Sequence, residues 1–282
     1  MNFRDRHVIV TGGSSGIGRA TARLLTRRGA HVSVVARRQE LLDETLTELE
    51  SLRESPEQRL RVYSADVTDW EQTREAVAAL TAEGLSPDVL INSAGFAHPG
   101  YFEKLPLEIF HETMDTDFFG TLYPIRAVLP AMIEHRRGHI VNLSSVAGFL
   151  GVFGYSAYSA AKFAVRGFSD VLRAEMKPYG IYVSVVFPPD TDTPMFHYEN
   201  QFKPVETRRI AAAARILTAD RVAQAIVRGI ERRQVYIFPS FEARLYFLLT
   251  HGFVGFTRWY FDRVVARVRR EREAQDEGDV CV

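Results

Sequence analysis

The sequence predicts an α/β protein built on a doubly wound parallel sheet of about seven strands. Apolar, β-branched runs alternate with helical patterns almost throughout the chain. The runs are apolar at nearly every position rather than at every second one, and a glycine-rich turn follows the first of them. Continuous apolar strands imply a sheet covered on both faces, and strand–helix alternation implies parallel crossovers.

The elements follow in order. His7 to Thr11 reads as the first strand and Gly16 to Gly29 as its helix. Val32 to Ala36 is the second strand, followed by a charged helix from Gln39 to Glu54. Leu60 to Ala65 is the third, with a helix from Asp69 to Glu83, and Asp88 to Asn92 is the fourth. A helix from Asp115 to Arg137 leads to a fifth strand, His139 to Leu143. A helix carrying Tyr158 comes next, then a sixth strand at Ile181 to Phe187. A helix at Ala219 to Arg232 and a short strand at Gln234 to Phe238 complete the series.

Two segments break this rhythm. Pro188 to Ala214 is a long stretch rich in Pro, Asp, Thr and Arg, placed after the sixth strand. Ligands bind beyond the carboxyl ends of strands in such sheets, so residues 188–214 are the candidate lid. The second segment begins at Phe241 and is dense in leucine and aromatic residues. The chain therefore divides into a catalytic domain, residues 1–240, and an apolar extension, residues 241–282, read as an amphipathic helix.

The bulk numbers set limits. The chain has 282 residues, 46% hydrophobic and 25% charged, the balance of a folded globular protein. Lys plus Arg and Asp plus Glu are both 35, so no overall charge draws the chain to nucleic acid. The single cysteine, Cys281, excludes an internal disulfide framework and fits a reducing compartment, the cytoplasm. Met1 to Arg6 is charged and runs into the first strand, which reads as neither a signal peptide nor a membrane anchor.

Thr11-Gly12-Gly13-Ser14-Ser15-Gly16-Ile17-Gly18 joins the first strand to its helix. Glycines let the backbone turn tightly and approach a pyrophosphate, and the helix N-terminus adds amides and positive potential. Gly12, Ser14, Ser15, Gly16, Ile17 and Gly18 are therefore candidate cofactor contacts. After the second strand stand Arg37 and Arg38. An acid at this point binds the ribose 2′-hydroxyl of NAD, whereas arginine suits the 2′-phosphate of NADP. Asp66 and Val67 follow the third strand and face the adenine in this reading. Asn92, Ala94 and Gly95 follow the fourth, where backbone must lie against the cofactor.

Tyr158 and Lys162 are four residues apart, about one helical turn, so phenol and ammonium share a face. A neighbouring cation favours the phenolate and lowers the tyrosine pKa from about 10. A tyrosine so adjusted exchanges a proton at a carbonyl or alcohol oxygen. A plain surface Tyr/Lys pair has the same spacing, so the pair gains its meaning from the rest of the chain. Ser145 lies thirteen residues earlier, and its hydroxyl is a second donor for a developing oxyanion.

Together these segments resemble the short-chain dehydrogenase/reductase family. The resemblance rests on the glycine-rich turn, Asn92-Ser93-Ala94-Gly95, Ser145 and Tyr158-x3-Lys162, in that order, and spans Asn2 to Arg232. It implies a Rossmann-type domain in which Tyr158 is the acid/base and Ser145 orients the carbonyl oxygen. It also implies that Lys162 lowers the tyrosine pKa and binds the nicotinamide ribose. Family members place an asparagine in the helix before the fifth strand, where it holds a water in a proton relay. Asp117 stands in that place here. An ionised aspartate accepts the same hydrogen bonds but donates none, so the relay is expected to persist with altered pH dependence.

Pro188-Pro189-Asp190-Thr191-Asp192-Thr193-Pro194, Glu199-Asn200 and Lys203 to Arg208 are similar to the branch of the family that reduces sphingoid ketones. That resemblance implies NADPH-dependent reduction of the C3 ketone of a long-chain sphingoid base. It makes Pro188, Thr191 and Thr193 candidate contacts to the nicotinamide end. Family members are commonly dimers or tetramers, so it also implies a homo-oligomer. Two other readings stay open: a ketoreductase for another apolar carbonyl such as a steroid, retinoid or acyl chain, and a non-catalytic NADP-binding scaffold. The complete Ser145, Tyr158, Lys162 set argues against the scaffold.

Within the extension, Leu245 to Thr257 is uncharged but too short to span a bilayer, which needs about 20 residues. Phe253, Phe256, Trp259, Tyr260 and Phe261 with Arg258, Arg263, Arg267, Arg269 and Arg270 suit peripheral contact with a membrane, at its cytoplasmic face. A helix packed in a dimer interface is the other reading.

Overall fold

β1 (His7–Thr11) is buried along its whole length in the computed structural model of the chain. The structure describes residues 2–82, 84–212, 215–252, 255, 259–260, 262–268 and 270–271. Glu83, Ala214, Phe253, Phe256, Arg258, Phe261, Arg269 and Cys281, which figure in the sequence reading, lie outside these residues. The next strands are β2 (His31–Ala36), β3 (Leu60–Ser64), β4 (Val89–Asn92), β5 (Gly138–Leu143) and β6 (Ile181–Val186). Two short strands, β7 (Thr191–Asp192) and β8 (Leu217–Thr218), pair with each other, and β9 (Tyr236–Ile237) joins the main sheet. That sheet is parallel, in the order β3-β2-β1-β4-β5-β6-β9.

β1 pairs on one side with β2, from His7↔His31 to Thr11↔Val35, and on the other with β4, from Val8↔Val89 to Thr11↔Asn92. The strand order reverses between them, which opens a crevice at their carboxyl ends. The pleat sends alternate residues to opposite faces. Val8, Val10, Val32 and Val34 pack with Ala22 and Leu25 of α1 (Gly16–Thr26). Leu42 and Leu49 of α2 (Gln39–Ser51) join that cluster. Ile9 and Val35 face the other way, against Val77 and Leu80 of α3 (Trp70–Thr81). Each such valine, leucine or isoleucine, fully buried, contributes about 1.5–3 kcal/mol relative to leaving it in water.

Two buried histidines tie strand starts together. His7 Nε2 meets Ser33 Oγ at 2.8 Å, and His139 Nε2 meets Ser184 Oγ at 2.7 Å. Burial lowers the pKa of each to about 4, so both stay neutral and act as hydrogen-bonding spacers.

The one helix expected from Asp115 to Arg137 is built differently. α4 (Leu107–Met114) starts earlier, with Pro106 at its N-cap. A π-helical turn over Asp115–Phe119 follows, and then α5 (Gly120–Glu134). A π-turn holds one residue more than an α-turn, so it shifts which side chain faces inward. Here the inward side chain is Asp117, fully buried.

α6 (Ser156–Met176) buries Tyr158, Ala161, Lys162, Val165, Ser169, Leu172 and Met176, one stripe at helical spacing. The segment after β6 carries α7 (Pro194–Glu199) and α8 (Val205–Ala211), and α9 (Ala219–Glu231) returns to the sheet beside α1. The extension begins with α10 (Phe241–Gly252). Its Phe247 ring packs 5.2 Å from Phe149 and 5.2 Å from Phe238, beside Phe187 and Tyr236. No helix among the described residues is long and apolar enough to cross a membrane.

Candidate active site

Ala157, Ala160 and Ala161 surround Tyr158 with good helix formers, and Lys162 follows one turn later. The shared face turns both side chains toward the end of β5. Lys162 Nζ lies 5.5 Å from the centre of the Tyr158 ring and donates to the Leu143 carbonyl at 3.1 Å. Ser145 leaves β5 in extended conformation, its hydroxyl accepts from the Ala147 N–H at 3.2 Å, and it lines the same cavity wall as Tyr158. The neighbouring Ser144 points elsewhere: its hydroxyl donates to the Lys162 carbonyl at 2.9 Å. Ser145, Tyr158 and Lys162 therefore stand together, as their spacing suggests.

Asp117 joins them from the π-turn. Its Oδ1 accepts from the Phe96 N–H at 2.9 Å and lies 3.3 Å from Lys162 Nζ. Burial pushes the Asp117 carboxyl above its ordinary pKa, and the Lys162 ammonium pulls it back. Oδ2 is buried without a hydrogen-bond partner. A fully buried carboxylate keeps its charge only beside a cation, so the pair is mutually dependent.

The tyrosine differs from expectation. The sequence reading has Lys162 lowering its pKa, whereas in the structure the phenol is pushed well above its ordinary range. Burial is the largest cause, followed by the carboxylate charges of Asp117 and Glu199; the Ser145 hydroxyl pulls down. The lysine's charge is offset by Asp117, which the tyrosine–lysine spacing cannot reveal.

These groups form one wall of a cavity of about 730 Å³ that runs along the carboxyl ends of the strands. At its other end lie Gly12, Ser14, Ser15, Gly16 and Ile17. Gly12 has φ +64°, and a Cβ there would sit 2.5 Å from the Ala94 backbone nitrogen, so only glycine lets the two turns meet. Ser15 caps α1 without a side-chain hydrogen bond, which leaves the first-turn amides open to an anion. Gly18 does not line the cavity; a Cβ there would sit 2.4 Å from the Gly12 carbonyl oxygen, so it serves the close packing of the turn.

Arg37 and Arg38 line the cavity beyond β2 with Asp66 and Val67, and Arg37 lies 3.7 Å from Asp66 with most of its side chain exposed. Ala94 and Gly95 line the middle. Asn92 does not: its amide donates to Asn142 Oδ1 at 2.9 Å and ties β4 to β5. Its expected cofactor contact is thus replaced by a buried cross-strand bond, formed because β5 places Asn142 directly opposite.

Pro188, Thr191 and Thr193 line the lid side. Thr191 Oγ1 donates to the Pro189 carbonyl at 2.8 Å, and Thr193 Oγ1 accepts from the Phe196 N–H at 3.2 Å as the cap of α7. Sequence reasoning missed a group of lid residues on this same cavity: Asp190, Glu199 and Lys203. The i,i+4 spacing of Glu199 and Lys203 is the signal that could have found them. Tyr246 and Tyr260 of the extension also line the cavity.

A strand–glycine turn–helix unit, a Tyr/Lys/Ser set and a deep cavity between them define a nucleotide-dependent oxidoreductase. A family profile described as short chain dehydrogenase matches residues 6–204, and the chain belongs to that family. A 3-ketodihydrosphingosine reductase of Dictyostelium discoideum is 39% identical over 96% of this chain and 85% of its own length. The 3-ketodihydrosphingosine reductase of Bos taurus is 44% identical over 79% of this chain and 67% of its own. Among solved structures, levodione reductase superposes with a TM-score of 0.76 at 28% identity, covering 84% of this chain and 96% of that one. Family and fold imply a nicotinamide cofactor, and the glycine cradle fits one.

The electrostatics give a direct test. A nearby carboxylate favours the protonated phenol, so removing its charge favours the phenolate. Asp117→Asn is expected to move Tyr158 ionisation to lower pH in an ultraviolet difference titration with Tyr158→Phe as blank. A transition at unchanged or higher pH would contradict the assignment of Asp117 as a major charge on the phenol.

Proposed function

We propose that the chain catalyses NADPH-dependent reduction of a long-chain lipid ketone, 3-ketodihydrosphingosine, to dihydrosphingosine. The observation that carries this reading is Ser145, Tyr158 and, one turn on, Lys162 together on the wall of the cavity that ends in the glycine cradle. The substrate is supported by the named relatives, one of which matches nearly the whole chain. The cofactor, when bound, supplies the hydride that adds to the carbonyl carbon. As that bond forms, negative charge develops on the carbonyl oxygen. Ser145 and Tyr158 are donors aimed at that charge, and Tyr158 releases its proton to the oxygen. Lys162, held by Asp117 and the Leu143 carbonyl, keeps a cation beside the phenolate that remains.

Arg37, Arg38, Asp66 and Val67 would hold the adenosine end, with Gly12 to Ile17 around the pyrophosphate. Ala94, Gly95, Pro188, Thr191 and Thr193 would hold the nicotinamide end. Arg37 at the end of β2, with no acid in its place, supports NADPH over NADH.

The extension supports peripheral contact with a lipid surface. Phe241 and Leu248 face outward from α10, Trp259 and Tyr260 are also exposed, and Tyr246 and Tyr260 line the cavity. A lipid ketone arriving from a bilayer would meet this face first.

Three outcomes are expected. Tyr158→Phe should lower kcat by about 10²–10⁴, the usual contribution of a positioned acid, with cofactor binding retained; near-normal turnover would remove Tyr158 from this role. Arg37→Ala should cut the NADPH-over-NADH ratio of kcat/KM by about tenfold or more, the loss of one charged hydrogen bond; an unchanged ratio would refute the phosphate contact. In a flotation gradient with phosphatidylcholine vesicles the protein should rise with lipid, and Phe241→Ser with Leu248→Ser should weaken this. Protein that stays at the bottom throughout would overturn the membrane reading.

A further inference from the structure

The lid presses a charged cluster against the catalytic wall. Lys203 Nζ lies 2.9 Å from Glu199 Oε1 and 3.4 Å from Asp190 Oδ2, and 4.5 Å from the centre of the Phe196 ring. Tyr155 lines the same cavity, and its ring lies 5.8 Å from that of Tyr158. Lys203 and Glu199 are almost wholly buried, whereas the Asp190 side chain keeps 31% exposure. All five of these residues line the cavity that holds Tyr158.

Two carboxylates share one ammonium, so the cluster carries one negative charge in excess. That excess is costly here. Burial raises the Glu199 pKa above its ordinary value, and both carboxylates push the Tyr158 phenol up. They therefore oppose the phenolate that forms when Tyr158 gives up its proton. A cavity meant only for a hydrocarbon chain and a neutral ketone would be better served by apolar residues in these places. The arrangement becomes favourable when the ligand itself brings a cation to within one carbon of the reacting ketone.

We propose that Asp190, with Glu199 beside it, recognises a protonated primary amine on the carbon next to the substrate ketone, and so selects α-amino ketones over neutral ketones. This rests on the reading of Tyr158 as the proton donor, and it adds the part of the substrate that the Ser145, Tyr158, Lys162 set cannot read. Asp190 is the contact because Lys203 holds it less closely than Glu199, and its side chain is the more exposed of the two, both lining the cavity. Lys203 lies within ion-pair distance of both carboxylates and fixes them in place. An ammonium docked there restores neutrality and offsets the charge that opposes Tyr158, so binding and proton transfer gain together.

The test uses the full chain with NADPH and two ketones of equal chain length. One is the 2-amino-1-hydroxy-3-ketone; the other has hydrogen in place of the amine. Wild type is expected to favour the amine by about 30-fold or more in kcat/KM, the lower end for a close buried charge pair. Asp190→Asn should shrink that ratio by about tenfold or more, and Glu199→Gln should shrink it less. A lid that merely loses its anchorage would slow both ketones and leave the ratio in place. A wild-type ratio within about threefold of unity, or a ratio unchanged in both variants, would overturn the proposal while leaving Tyr158 as the acid. If Asp190→Asn does not fold, the wild-type ratio and Glu199→Gln decide. If wild type reduces neither ketone, the reading of Tyr158 falls and the proposal falls with it.

Discussion

Lys162 and Asp117, 3.3 Å apart and both out of water, tie together four parts of the molecule. Lys162 comes from α6 and donates to the last carbonyl of β5; Asp117 comes from the π-turn and accepts from the loop after β4. Removing one partner of such a buried pair costs about 3–5 kcal/mol, because the other charge is left stranded. The geometry of Tyr158 and Ser145 hangs on this junction, since α6 and β5 carry them. The same junction fixes the electrostatics of the phenol, because Asp117 takes up the lysine charge that would otherwise act on the tyrosine alone.

The cavity is graded in charge along its length. At the end beyond β2, Arg37 and Arg38 face solvent beside Asp66, with positive character suited to an anion. In the middle the open first-turn amides of α1 and the small residues Ala94 and Gly95 leave room for backbone to approach a ligand. At the catalytic end the balance turns negative through Asp190 and Glu199. The lid supplies that negative end, and it is itself held down by Thr207, whose hydroxyl donates to the Phe153 carbonyl at 2.7 Å. One element thus closes the cavity and sets its charge.

Much of the fold is legible in the chain because strand and helix signals here are local. β1, β2 and the helix after each appear where apolar continuity and helical spacing put them, to within a few residues at the ends. The π-turn is not legible: Met114 to Thr121 reads as continuous helix, and Asp117, which the turn brings inward, meets Lys162 and the Phe96 N–H only in the folded chain. Ser145 and Tyr158 are legible because both sit on segments whose geometry sequence spacing controls. Asn92 is misread, since a small polar residue after a strand suits a cofactor contact and a cross-strand bond equally well. The lid cluster escapes because Asp190 and Lys203 lie thirteen residues apart in irregular chain, and only folding brings them to 3.4 Å.

The sequence by itself determined the parallel sheet, the position of the glycine turn, the pairing of Tyr158 with Lys162 and the choice of arginine at the end of β2. Each of these depends on periodicity or on neighbours within a turn or two, where backbone geometry leaves few alternatives. Tertiary structure decided the charge state around the phenol, the structural rather than ligand-facing place of Asn92 and Gly18, and the excess carboxylate of the lid. Those depend on which groups are buried together, and desolvation and Coulomb interaction are set by distance in space rather than by separation along the chain.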